Sequence, residues 1–332
     1  MMPGRPVQIS GVGCYVPEHI LDNLELEKMV ETSNEWILQR TGIFERHIVA
    51  KGQATSDMAA SAVGELCVKT GLKVGEIELI IVATVTPDMM FPATACLVQH
   101  KLGIPKTWGF DLSGACCGFV YALSVGASFV ASGFHSKVVV VGADTMSSII
   151  DYQDRATCIL FGDAAGAVLL EPALDEKNAL LDYSHELDGS GGPALRMPAG
   201  GSLIPPSCET VKNRMHYVKQ DGQAVFKFAV RKMEEASRNI LERNRFTSQD
   251  LALLIPHQAN ARIIRNTAER LGLRQDQYIL NLGKYGNTTA ATIPLAIRDA
   301  VETGQLRKGD LALLISVGAG FTVGSALVRW AF

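Results

Sequence analysis

Residues 110–133, FDLSGACCGFVYALSVGASFVASG, and residues 280–304, LNLGKYGNTTAATIPLAIRDAVETG, are two renderings of one plan. Each passes through a turn of small residues into a long helix that stops at a glycine. Their surroundings repeat as well. IELIIVATVTPD (77–88) and a helix ending HKLGI (100–104) precede the first; LALLIPHQAN (251–260) and a helix ending AERLGL (268–273) precede the second. KVVVVGAD (137–144) and LALLISVGAG (311–320) follow them. The shared order predicts an internal duplication, two α/β halves related by a pseudo-twofold axis. Counted back from Gly133 and Gly304, Cys116 and Asn287 both lie seventeen residues earlier, which predicts that they occupy matching helix starts. Counted back fifteen from Gly103 and Gly272, Asp88 matches His257, each just past the end of a strand.

Short β-branched runs at 78–83, 137–141, 251–255 and 311–316 alternate with helix-length segments, the pattern of buried strands in layered α/β architecture. The 332 residues exceed one simple core, so two fused halves are expected, 1–172 and 173–332. Between them, 184–222 is rich in Gly and Pro without periodicity and reads as a long irregular excursion.

The chain is 47% apolar and 20% charged with a formal net charge of -3, which argues against nucleic acid as its main partner. Its seven cysteines are odd in number and form no C-x-x-C pair, so reduced thiols are expected. No apolar run reaches the ~20 residues of a membrane span, and the opening residues resemble a strand more than a signal sequence; a cytoplasmic location is the expectation.

Cys116 follows a strand-like run and a Ser-Gly-Ala turn and opens an apolar helix. Backbone N–H groups and the positive dipole end there favour thiolate, which predicts a nucleophile, against the plainer reading of a small core residue. Cys117 points elsewhere and is expected to pack. His257, in IPHQANARII, sits where a neutral imidazole can donate a hydrogen bond or move a proton, although a lone histidine is more often a satisfied core residue. Asn287, in YGNTTAA, offers an amide donor, although a Gly-Asn pair is more often a turn. Three such groups converging through a pseudo-twofold arrangement are much less easily dismissed than any one of them.

DLSGACCGF, IPHQANARII, YGNTTAA and GAGFTVGSALVRW, with EKMVETSNEWILQRTGIFERHI near the start and FGDAAGAVLL in the middle, resemble the signature segments of the β-ketoacyl-acyl-carrier-protein synthase III family. The resemblance implies a thiolase-type fold, five layers of α-β-α-β-α in two duplicated halves, and a homodimer. It implies that Cys116 takes the acyl group of an acyl-CoA, its N–H and that of Ala319 holding the oxyanion. A malonyl-acyl-carrier protein is then decarboxylated, with His257 and Asn287 stabilising the enolate that attacks the acyl-cysteine. Both thioesters are substrates, and neither a cofactor nor a metal is implied.

Ligand contacts follow residue by residue. Trp36 and Arg155 resemble the pair that sandwiches the CoA adenine, with Arg40 and Thr41 nearby. Asn260 resembles a pantetheine contact and Phe226 a tunnel wall. Lys227 and Arg262 resemble a basic surface for the acidic carrier protein, and Phe91 resembles the residue that reaches into the partner subunit's acyl pocket. A thiolase would need a second catalytic cysteine near the C-terminus, yet the last is Cys208. The elongating synthases need two histidines, yet after His216 there is only His257. A synthase or acyltransferase of a specialised pathway, using other primers, malonyl-CoA or a non-malonyl acceptor, and a silent acyl-thioester-binding scaffold are the remaining alternatives.

Overall fold

A computed structural model of the chain describes residues 4–175 and 177–332. In the first half the strands are β1 (Val7–Tyr15), β2 (His19–Asp22), β3 (Glu45–Ile48), β4 (Leu79–Ala83), β5 (Trp108–Leu112), β6 (Val138–Asp144) and β7 (Ala164–Pro172). Its helices are α1 (Asn23–Glu27), α2 (Asn34–Thr41), α3 (Thr55–Thr70), α4 (Thr94–Lys101), α5 (Gly118–Ala131) and α6 (Arg155–Cys158). The second half has β8 (Leu180–Leu187), β9 (Leu195–Arg196), β10 (Lys219–Gln220), β11 (Leu253–Pro256), β12 (Leu311–Gly318) and β13 (Thr322–Arg329). Its helices are α7 (Cys208–Lys212), α8 (Gly222–Arg243), α9 (Ala261–Arg270), α10 (Leu282–Tyr285) and α11 (Thr292–Glu302).

The strand order is β1-β7-β6-β4-β5 in one sheet and β8-β13-β12-β11 in the other. The strand senses match: β4 lies parallel to β6 as β11 does to β12, and β6/β7 and β12/β13 are antiparallel. Where the second sheet lacks a counterpart of β5, a single parallel bridge from Leu254 to Tyr278 stands in. Helices α3 and α4 cover one sheet, α8 and α9 the other, and α5 and α11 lie between them. Five layers result.

Burial explains why β6 and β12 read as unbroken apolar runs. Val138 and Val140 face the central layer with Phe119, Leu123 and Ile293, whereas Val139 and Val141 face Met58, Leu66 and Val98 beneath α3 and α4. Ala312 and Leu314 face the centre, while Leu313 and Ile315 face Phe228, Met233 and Ile240 on α8. Side chains that alternate between two dry layers leave no polar face to alternate with. No described helix is long and apolar enough to cross a membrane.

The duplication is offset from the register counted in sequence. Each central helix follows a 3-10 turn, Ala115–Cys117 or Thr289–Ala291, whose first residue is left-handed, Ala115 at φ 46° and Thr289 at φ 49°. The turn therefore matches Cys116 with Ala290, and Asn287 lies three residues upstream. The cause is helix length: α5 has 14 residues and α11 has 11, so counting back from the terminal glycines carried that difference into the match. The excursion at 184–222 is also more ordered than its composition predicts. Residues 184–187 complete β8, paired with β13, and β9 pairs with β10 to form a small ribbon.

Candidate active site

Cys116, His257 and Asn287 line one cavity of about 200 Å³, closed on one side by Val225, Phe226, Ala229 and Met233 of α8. All three are buried, at 6%, 4% and 5% exposure, so each polar group acts where water does not compete.

Cys116 is the middle residue of its 3-10 turn. Its carbonyl accepts the Ser316 hydroxyl at 2.8 Å, which ties the turn to β12. Gly318, at the end of that strand, comes so near that an added Cβ would lie 3.0 Å from the Cys116 nitrogen. Only glycine permits that approach. Burial pushes the thiol well above its ordinary range and neighbouring Cys117 and Asp144 add to this, against a smaller downward pull from the residue's own N–H. Burial therefore opposes the thiolate that the helix start favours. Cys117 is fully buried, as a packing residue should be.

His257 follows β11, and its N–H donates to the Ile315 carbonyl of β12 at 2.8 Å. Burial pushes the imidazole down to about 3, so it is neutral at physiological pH. Its Nδ1 lies 2.7 Å from the Thr292 hydroxyl, which is also 2.9 Å from the Thr289 carbonyl. The hydroxyl carries one proton for these two acceptors, and when it is donated to Nδ1 the ring proton sits on Nε2, as a donor.

Asn287 is held by its backbone and by one end of its amide. Its N–H donates to the Leu160 carbonyl at 2.8 Å, its carbonyl accepts from Gly162 at 3.1 Å, and Oδ1 accepts the Thr289 N–H at 2.9 Å. Since Oδ1 faces a donor, the amide orientation is fixed and Nδ2 is the end left for a ligand. Thr289 is in turn gripped by the buried carboxylate of Asp144, which also accepts from Ala290, Val85, Thr84 and Thr86.

The other predicted positions fall in three groups. Arg40, Thr41, Phe226 and Asn260 line the cavity with Cys116, His257 and Asn287. Asn260 has both amide ends engaged, Oδ1 capping α9 at the Arg262 N–H and Nδ2 donating to the Arg40 carbonyl. The Thr41 hydroxyl is likewise occupied, with Ile37 and Ile43. Arg155 lies directly over Trp36, its Cζ 4.9 Å from the ring centroid, so a planar base enters between them only when the guanidinium swings away. Lys227 and Arg262 are exposed and make no ion pair among the described residues; Arg262 rests on Phe226, 5.2 Å from its centroid. Phe91 is 84% exposed on the loop after β4 and does not line this chain's cavity. Ala319 follows Gly318 at the end of β12, beside the Cys116 turn.

Sequence reasoning missed Ala229 and Met233, which share a face of α8 with Val225 and Phe226 at spacings of three, four and four residues; helical periodicity carried that signal. It also missed Leu195 of β9 and Gln220 of β10, which bring the glycine-rich excursion to the cavity wall. No local pattern marks them. Among the described residues no group of three or more His, Cys, Asp and Glu is placed to hold a metal ion.

A duplicated five-layer fold with a buried cysteine, histidine and asparagine around one cavity defines a condensing enzyme of the thiolase fold. The family profile described as 3-oxoacyl-[acyl-carrier-protein (ACP)] synthase III matches residues 110–189, and the profile of its C-terminal part matches 241–330. The chain is 56% identical to a β-ketoacyl-[acyl-carrier-protein] synthase III of Koribacter versatilis, over 99% of each chain. It is 50% identical to one of Chlorobaculum tepidum, over 97% of this chain and 98% of that one. The crystal structure of 3-oxoacyl-[acyl-carrier-protein] synthase III from Aquifex aeolicus superposes with a TM-score of 0.90 at 41% identity, covering 98% of this chain and 100% of that one. This chain belongs to the β-ketoacyl-acyl-carrier-protein synthase III family.

Proposed function

We propose that this acyltransferase condenses an acyl-CoA primer with malonyl-acyl-carrier protein, releasing CoA and carbon dioxide and initiating fatty acid synthesis. The observation that carries the reading is the Asn287 amide, clamped at Oδ1 so that Nδ2 is offered to the cavity shared with Cys116 and His257. In the first half-reaction the Cys116 sulfur attacks the thioester carbonyl, the bond to CoA sulfur breaks, and the thiol proton ends on the departing CoA. The N–H groups of Cys116 and Ala319 hold the oxyanion.

In the second half-reaction the malonyl carboxylate leaves as carbon dioxide, and its bonding electrons form an enolate whose oxygen accepts from His257 Nε2 and Asn287 Nδ2. A neutral imidazole suits this role, since it donates without taking a proton from the carbon. The enolate carbon attacks the acyl-cysteine, the carbon–sulfur bond breaks with its electrons going to sulfur, and a proton from solvent restores the Cys116 thiol.

Trp36 and Arg155 hold the adenine, with Arg40, Thr41, Phe226 and Asn260 along the pantetheine path; Lys227 and Arg262 face the acidic carrier protein. The enzyme acts as a homodimer. Strand β5 is an open sheet edge, and Met90 and Phe91 stand exposed at 82% and 84%, the apolar bulk that a second subunit would cover.

The test is a panel of radiolabelled acyl-CoA esters followed by mass analysis of the Cys116 peptide, then malonyl-acyl-carrier protein or malonyl-CoA with carbon dioxide and product measured. A labelled Cys116 that yields carbon dioxide and a β-ketoacyl thioester is expected. Equal labelling of Cys116→Ser, or acyl transfer without carbon dioxide, refutes the reading.

A further inference from the structure

The segment 159–162 is the only backbone that grips Asn287 from outside its own turn among the described residues, and it holds both the N–H and the carbonyl of that residue. Beside its own packing and the Leu160 N–H bond to the Thr157 carbonyl, the side chain that anchors this segment by hydrogen bond is Arg46 on β3. Its side chain is wholly buried, and Nη2 donates to the Ile159 carbonyl at 2.6 Å while Nη1 donates to Asn23 Oδ1 at 2.8 Å and to the Leu21 carbonyl at 3.3 Å. None of these partners is a carboxylate, and Nε has no partner among the described residues. A cation kept dry on neutral acceptors is costly, and a fold that needed only packing here would be served by an apolar side chain.

The glycines around the site are shaped to this arginine. An added Cβ at Gly286, immediately before Asn287, would lie 2.9 Å from the Leu160 carbonyl and 3.1 Å from Arg46 Cβ. One at Gly162 would lie 2.4 Å from the Tyr285 carbonyl and 3.0 Å from Arg46 Cβ. The two backbones that pair at Asn287 therefore close around the base of Arg46, and its far end anchors one of them. The anchor is itself braced: Asn23 Nδ2 donates to Asn34 Oδ1 at 3.0 Å and to the Ile43 carbonyl at 2.9 Å, so the chain of bonds reaches α2.

We propose that Arg46 is the positioning residue for Asn287, holding its amide at the place where the enolate oxygen forms through the 159–162 segment. The inference rests on the function proposed above and concerns the second half-reaction alone. Cys116 is held from β12 by Ser316 and Gly318, which Arg46 does not touch.

A double-mutant cycle tests it, with acylation and malonyl decarboxylation measured separately. Arg46→Met is expected to slow decarboxylation on the order of 10-fold to 100-fold when Asn287 is present, and less than about 2-fold in an Asn287→Ala background, where nothing remains to position. Acylation of Cys116 is expected to stay within about 3-fold in both backgrounds. If Arg46→Met fails to fold, Arg46→Lys carries the same cycle, since one ammonium cannot reproduce the fork that reaches Asn23 and Ile159 together. Equal losses in the two backgrounds, or acylation slowed as much as decarboxylation, overturn the inference. A wild-type enzyme that forms no acyl-cysteine or releases no carbon dioxide instead refutes the proposed function.

Discussion

Replacing Asn287 separates the chemistry of this site from its architecture, because the two ends of its amide do different jobs. Asn287→Ala deletes the Nδ2 donor and also strips the Thr289 N–H of its acceptor at 2.9 Å. Loss of one preorganised oxyanion donor is worth about 2.7–4 kcal/mol, so the condensation rate should fall on the order of 10²–10³. The orphaned, buried N–H should cost a further ~1–3 kcal/mol of stability. Asn287→Asp keeps that acceptor and so spares most of the stability, yet it turns the donor into an acceptor and should slow condensation at least as much. The assay is acyl-enzyme formation by mass shift at Cys116 alongside carbon dioxide release from malonyl thioester, with a melting curve for each variant. Acylation should change little in either. An Asp variant that condenses within about tenfold of wild type, or an Ala variant whose acylation falls as far as its condensation, refutes the assignment.

Thr292→Val should lower condensation by roughly tenfold, because Nδ1 of His257 loses the hydroxyl partner that orients the ring; Thr292→Ser should restore the rate. Because burial holds His257 down to about 3, below the ordinary imidazole value, the unfolded chain binds the extra proton between those pH values and stability rises with pH there. Its contribution is complete above about pH 6.5 and is lost as pH falls; the unfolding free energy from urea titrations between pH 7 and 5 should therefore decline less steeply in His257→Gln, by up to about 1.4 kcal/mol per pH unit. Gly318→Ala pushes a methyl to 3.0 Å from the Cys116 nitrogen and 2.8 Å from the Thr322 hydroxyl, so acylation should fall at least about tenfold, read as the initial rate of labelling from acyl-CoA. Arg155→Ala removes the guanidinium stacked on Trp36 and should raise KM for acyl-CoA a few-fold with kcat nearly unchanged, whereas Trp36→Ala should raise it more.

The chemistry and the layers were legible in the sequence because they are written in local pattern. Apolar runs such as VVVV at 138–141 announce strands buried on both faces, and a cysteine after a small-residue turn announces a helix start, whatever surrounds them. The repetition of element order gave the duplication, and the resemblance of the segments around 116, 257 and 287 to a known family singled out three residues that line one cavity. Tertiary structure alone decided how these groups are tuned. Burial beneath both halves raises the Cys116 thiol, against the local helix end that the sequence advertises. The facing of the Asn287 amide depends on Thr289, and Thr289 depends on a carboxylate, Asp144, contributed by the other half of the chain. Leu195 and Gln220 reach the cavity from a stretch whose composition predicts only loop. Sequence pattern reports the preferences of neighbours along the chain; desolvation and hydrogen-bond partnership are set by neighbours in space, which no local pattern encodes.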